Sequence, residues 1–174
     1  MKIVATNKNI ISLALPILFA LLIPQVSYVA NSVFLGRFGE LELRVVGVAG
    51  VFYLLLAMVG YGLSNGMQIQ MARRAGEQDY EGLTRTFVNG ALLSLLFSLG
   101  MMVLSLWLAP LIFGLSLHDN ENIFQSIRFL YIRVWGLPFL MLSQLANAFF
   151  ISINRSRFLI YSSLAGTATN ITLD

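Results

Sequence analysis

Residues 10–35, "IISLALPILFALLIPQVSYVANSVFL", run for 26 positions without one charged side chain. About 20 apolar residues in a helix cross the ~30 Å hydrocarbon core of a bilayer, so this run is long enough to span it. Yet Pro24, Gln25 and Asn31 stand where lipid would favour leucine.

Working outward, the same pattern recurs. Apolar runs occupy about 46–71, 87–114, 130–153 and 158–174, separated by short charged segments. With 57% hydrophobic and 11% charged residues, the chain reads as an integral membrane protein. Continuous apolarity means helices, because an open strand edge is not tolerated in hydrocarbon, so the expected fold class is an all-α membrane bundle. The 174 residues contain no cysteine, and the single histidine, His118, lies in a polar stretch, which excludes disulfides, thiolate zinc sites and Cys or His nucleophile pairs. No basic stripe interleaves with aromatics, so nucleic acid is not an expected partner; the lipid bilayer is. The first run has no small-residue cleavage site after it and reads as a retained helix rather than a signal peptide.

Orientation follows from lysine and arginine. Lys2, Lys8, Arg73, Arg74, Arg85, Arg155 and Arg157 fall on one side, against Arg37, Arg44 and Arg128 on the other, with Arg133 at a helix start. That asymmetry places the N-terminus and the even connections in the cytoplasm of a cell-membrane protein. The acidic third connection, "HDNENIF", fits an outside loop. The fifth run stops 17 residues after Arg157, short of a full span, so the sequence reads as ending inside a membrane helix of a longer protein.

Polar residues within the runs fall on faces. Pro24, Ser27 and Asn31 share one face of the first helix, and Ser163, Thr167, Asn170 and Asp174 form a stripe on the fifth. At ~1.5 Å per residue, Asn31 lies roughly 7 Å below the outer end of its helix and Asp174 about 25 Å above the inner end of its own, which is similar depth. A lone Asn or Ser in a span is commonly interhelical glue worth about 0.6 to 2 kcal/mol. Asp174 differs, being the one acid inside any run, and an intramembrane carboxylate marks a functional site or a buried ion pair. Pro16, Pro24 and Pro138 each deprive a carbonyl one turn back of its helical donor, on Ser12, Ala20 and Val134, making hinge or static-kink positions. Gly60, Gly62 and Gly66 in "GYGLSNG" read as sites of close helix packing.

Taken in order, "LALPILFALLI", "NSVFLGRFGE", "GYGLSNGMQIQMARRAGEQDYEG", "YIRVWGLPFLML" and "NITLD" resemble the N-terminal lobe of multidrug and toxic compound extrusion (MATE) transporters over nearly the whole chain. The resemblance implies a parent of twelve helices in two six-helix lobes, with residues 1–174 covering the first four to five helices. It further implies export of organic cations and other amphiphiles by alternating access against H⁺ or Na⁺, with no other cofactor, no enzymatic activity, and a C-terminal lobe as obligatory partner. Asn170 and Asp174 match the family's cation-site pattern on helix five, Pro16 its bending proline, and Asn147 a polar lining residue, with Ser27 and Thr167 beside the same cavity. Family members usually carry Asp at the place of Asn31, in a pattern like "DTIFVGR" against "NSVFLGR" in this chain. Asparagine can coordinate a cation but cannot take up a proton. Two alternatives stay open on the sequence: a flippase of lipid-linked oligosaccharide or peptidoglycan precursors from the same superfamily, and an inactive membrane fragment. An intramembrane enzyme is disfavoured, since no run holds a histidine or an acid pair.

Overall fold

The computed structural model describes residues 39–117, 119–155 and 157–173, with scattered helical positions between 11 and 36. Pro16, Pro24, Ser27, Asn31, His118 and Asp174 lie outside the described residues. Those described form five helices and no strand: α1 (Glu40–Gly76), α2 (Tyr80–Ser116), α3 (Asn120–Arg133), α4 (Leu137–Ser152) and α5 (Arg157–Leu173). A 3₁₀ turn, Val134–Gly136, joins α3 to α4. Three stretches are long and apolar enough to cross a membrane: Leu43–Gly76, Tyr80–Leu115 and Asn120–Ser152.

Packing is inverted relative to a water-soluble bundle. Between Leu83 and Phe113 at its ends, the face of α2 turned inward is made of small residues, Thr86, Gly90, Ser94, Ser98, Ser105 and Ala109, all buried. Large side chains such as Leu92, Leu96, Leu99 and Val103 face outward. Lipid tails solvate leucine as well as a protein interior does, so helix association depends on how closely backbones approach. Gly60 of α1 is an instance: a Cβ there would meet Met141 Cγ at 2.8 Å and the Gln144 side-chain oxygen at 3.0 Å. Across the same junction Gln144 Nε2 donates to Ala57 O at 3.3 Å, and Ser152 Oγ to Gln68 O at 3.1 Å. Gly62 and Gly66 are exposed, with nothing within 4 Å of a Cβ, so of the three glycines Gly60 alone packs closely among the described residues.

Two apolar clusters fix the ends of the bundle. Met71, Leu83, Leu145 and Ala148 close one end; Ala49, Ala109, Phe113 and Leu130 close the other. The second cluster explains a correction to the sequence reading, which left "HDNENIF" as a loop and placed Arg133 at a helix start. Helix α3 instead begins at Asn120, capped by Asp119, whose carboxylate accepts from Glu121 N at 3.2 Å. Its residues Ile123, Ile127 and Leu130 turn onto the cluster while Glu121 and Arg128 stay exposed. Arg133 ends α3, its guanidinium 4.8 Å from the ring centre of Tyr53 and 5.6 Å from that of Phe129.

Pro138 also behaves differently from expectation. It occupies the first turn of α4, and the carbonyl of Val134, which it cannot serve, accepts instead from the N–H of Leu137. The 3₁₀ turn thus replaces the missing four-residue bond with a three-residue one. The inward stripe passes straight through: Ser126, Leu130, Val134, Leu137, Met141, Leu145 and Ala148 are all buried.

The turns after α1 and α4 share one design. Gln78 (φ 61°) and Asn154 (φ 59°) adopt the left-handed conformation. Asp79 N then reaches back to Arg74 O and Arg155 N to Phe150 O, closing Schellman caps. In the first turn Asp79 also caps α2, accepting from Gly82 N at 2.9 Å and from Arg74 at 2.8 Å. These two contacts, the backbone N–H first and the guanidinium second, hold the Asp79 carboxyl below the ordinary carboxylate range. A Cβ at Gly82 would run into the Asp79 carboxylate and the Arg74 guanidinium, so any larger residue there would push this pair aside.

Candidate functional site

The residues singled out for ion and substrate handling centre on α5 and its neighbour α4. An aromatic run brings these helices together: Phe149 and Phe150 have ring centres 5.8 Å apart, and Phe150 stacks on Phe158 at 5.3 Å with an interplanar angle of 22°. Leu159 is buried beside this contact.

Burial along α5 is one-sided. Leu159 is buried and Ile160, Ser163 and Thr167 are half-buried, whereas Tyr161, Ser162, Leu164, Ala165, Gly166, Ala168 and Thr169 are exposed. The inward face is therefore the one carrying Ser163 and Thr167. Hydroxyls on the outer face fold back on their own helix, Ser162 to Leu159 O at 3.0 Å and Thr169 to Ala165 O at 2.8 Å. That is the usual way for a lone hydroxyl to be satisfied in lipid. Asn170 lies within α5, three residues after Thr167. The Asn170 side chain and all of Asp174 fall outside what is described.

Asn147 is half-buried on α4, one residue before the buried Ala148. Asn31, Ser27, Pro16 and Pro24 lie outside the described residues, so the geometry between the first run and α5 does not enter the site as drawn. Among the described residues no group of three or more His, Cys, Asp or Glu side chains is placed to hold a metal ion.

The sequence reading passed over Gln144 and Pro110. Gln144 was visible as a carboxamide in a largely apolar run, and the structure makes it, with Ser152, a polar tie between α4 and α1. Pro110 lies inside α2, four residues after Leu106.

A family model, MatE, matches residues 16–174. The chain belongs to the MATE family. Its members are transporters, not enzymes. The chain is 26% identical over 160 residues to the protein described as probable multidrug resistance protein NorM of Aromatoleum aromaticum, covering 92% of this chain and 34% of that one. In fold it is similar to a MATE crystal structure in the bent conformation, with a TM-score of 0.88 at 20% identity over 96% of this chain. It is similar too to an outward-facing multidrug resistance MATE transporter of the MOP superfamily, with a TM-score of 0.87 at 20% identity over 95% of this chain. The chain spans 37% of each of these structures, and about a third of the curated relative. As a MATE family chain with three membrane-length helical stretches, it is a multi-pass protein embedded in the bilayer.

Proposed function

We propose that this chain is part of the N-terminal lobe, its first four to five helices, of a secondary active efflux transporter of the cell membrane, with its N-terminus in the cytoplasm. It exchanges H⁺ or Na⁺ for small amphiphilic or cationic compounds by alternating access against a C-terminal lobe. The observation that carries this reading is the one-sided α5, whose inward face bears Ser163 and Thr167; in the sequence Asn170 and Asp174 follow at the same helical spacing. The relative described as a probable multidrug resistance protein supports the class of cargo.

Asp174 is the sole carboxylate within the apolar runs, and burial raises a carboxyl pKa toward the range where protons exchange. In this scheme Asn170 and Asn31 are neutral oxygen ligands, Thr167, Ser27 and Asn147 line the adjoining cavity, and Pro16 and Pro24 let the first helix bend. A cation at Asp174 biases the two-lobe equilibrium toward the form that releases cargo.

The test is ethidium or norfloxacin efflux from cells expressing the complete transporter, under imposed proton or sodium gradients. Asp174→Asn is expected to abolish coupled efflux, and Asn31→Asp to leave or strengthen it. Unchanged coupled efflux in Asp174→Asn would remove Asp174 from the mechanism, and no efflux by the wild type under either gradient would remove the antiport reading itself.

A further inference from the structure

Arginines gather where the two Schellman-capped turns lie side by side. Ser152 at the end of α4 donates to Gln68 O of α1, and Ile153 and Ala75 pack on the same apolar cluster, which sets the α4–α5 turn beside the α1–α2 turn. Around the α1–α2 turn every arginine has an acid: Arg73 with Glu77 at 3.0 Å, Arg74 with Asp79 at 2.8 Å and Arg85 with Glu81 at 3.8 Å. The α4–α5 turn is different, since no Asp or Glu occurs between Glu121 and Asp174. Arg155 and Arg157 are exposed, and among the described residues neither side chain has an ion pair or hydrogen bond. Two full positive charges therefore stand uncompensated beside a turn whose charges cancel.

Their position says which anion is at hand. The membrane-length stretch Asn120–Ser152 ends three residues before Arg155, and α5 then leads back into an apolar run. The turn thus lies in the headgroup layer, where lipid phosphates are the abundant anions and where a guanidinium can grip a phosphate with two parallel hydrogen bonds. The α5 face below it continues the same way. Arg157, Tyr161, Leu164 and Ala165 share one exposed face, with Tyr161 68% and Leu164 49% exposed. Tyr161 lies about 6 Å deeper than Arg157 and Leu164 about 10 Å deeper, so cation, phenol and aliphatic side chain follow the order of phosphate, glycerol and acyl chain. Phe158, stacked on Phe150, holds the start of this face against α4.

We propose that the α4–α5 turn binds an anionic phospholipid. Arg155 and Arg157 hold the headgroup phosphate, and an acyl chain runs down past Tyr161 and Leu164. A choline headgroup places a fixed positive charge next to its phosphate, which two unpaired guanidinia repel; a glycerol headgroup brings hydroxyls and a net negative charge. The turn therefore selects phosphatidylglycerol over phosphatidylcholine.

The experiment places the full chain in nanodiscs of mixed phosphatidylglycerol and phosphatidylcholine and reads which lipid is retained by native mass spectrometry. Unfolding midpoints in phosphatidylcholine alone report that each variant is folded. The preference for phosphatidylglycerol is expected to fall roughly fivefold in Arg155→Gln and in Arg157→Gln and about 25-fold in the double variant, the scale of one cation each at an anionic surface. Arg128→Gln, which removes an exposed charge at the far end of the bundle, is expected to leave the preference unchanged. A preference that survives the double substitution, or an equal fall in Arg128→Gln, would overturn the site. Glycerol phosphate added to detergent-solubilised protein is a separate arm, and stabilisation by it equal to that by phosphatidylglycerol would overturn the lipid as the source.

Discussion

The Tyr131 hydroxyl lies 3.5 Å from the carbonyl oxygen of Leu106, 25 residues earlier in the chain. That carbonyl is the one Pro110 leaves without a helical donor, since proline has no N–H to return. A phenol on α3 thus stands in for a backbone group missing from α2, at long hydrogen-bond range. Tyr131→Phe is expected to destabilise the protein by about 0.6 kcal/mol, the average for interhelical hydrogen bonds in membranes, with ~1.7 as the upper end. In a Pro110→Ala background the same substitution should cost close to nothing, because the helix then serves Leu106 itself. A double-mutant cycle measured by unfolding in micelles decides it; equal costs in both backgrounds would sink the pairing.

Small residues on the inward face of α2 should be harder to replace than large ones on its outer face. Ser94, fully buried, is expected to lose about 1 to 3 kcal/mol on conversion to leucine, through overpacking. Leu96→Ala, on the exposed face, is expected to change stability far less, since lipid replaces its contacts. The reverse ranking in the same unfolding assay would contradict the packing described.

Among the glycines of "GYGLSNG", substitution should discriminate. Gly60→Val forces Met141 and Gln144 aside and is expected to cost about 1 to 3 kcal/mol, whereas Gly62→Ala and Gly66→Ala meet nothing within 4 Å. Loss of stability on all three would mean that the face bearing Gly62 and Gly66 is packed as well.

Asp79 predicts a pH dependence at the α1–α2 turn. Its folded carboxyl titrates below the ordinary value, because Gly82 N–H and Arg74 favour the charged form. The turn therefore keeps its full contribution above the ordinary carboxylate range and loses it as pH falls through the lowered folded value. Amide exchange at Gly82 should accelerate on acidification in the wild type and be fast and pH-flat, after correction for intrinsic rates, in Asp79→Ala.

At the two Schellman caps a glycine should help. Gln78 holds φ 61° with a full side chain, a conformation that costs an ordinary residue roughly 1 kcal/mol or more. Gln78→Gly is expected to stabilise the protein, and by more than Asn154→Gly, since asparagine tolerates this region better. Destabilisation by Gln78→Gly would show that the side chain contributes something its backbone strain conceals.

Much of this was legible in the chain's letters, and the reasons for the remainder are physical. Long apolar runs cannot be anything but helices in lipid, so fold class followed from Leu, Val and Phe content alone. Of the stripe expected on α5, Ser163 and Thr167 are both half-buried on the inward face, while the side chains of Asn170 and Asp174 lie outside what is described. Helix α3 was not legible, because Asn120, Glu121, Asn122 and Gln125 mimic a loop in composition, and only the packing of Ile123 and Ile127 against the end cluster shows why they coil. Nor could the letters separate Gly60 from Gly62 and Gly66, which differ in what stands opposite rather than in what they are. The relation of Asn31 to Asp174, on which the proposed ion site turns, lies outside the described residues.

The buried stripe that passes through the 3₁₀ turn has one more consequence. Its steps are four, four, three, four, four and three, so that Ser126, Leu137 and Ala148 repeat every eleven residues. A heptad seam lags behind the α-helical twist and coils to the left, whereas an eleven-residue seam runs ahead of it and coils to the right. The spacing of this stripe is thus that of a right-handed seam and not that of a leucine zipper. A three-residue turn of tighter helix at Val134–Gly136, where three residues complete a full revolution, carries the stripe past Pro138 with Val134 and Leu137 both still buried.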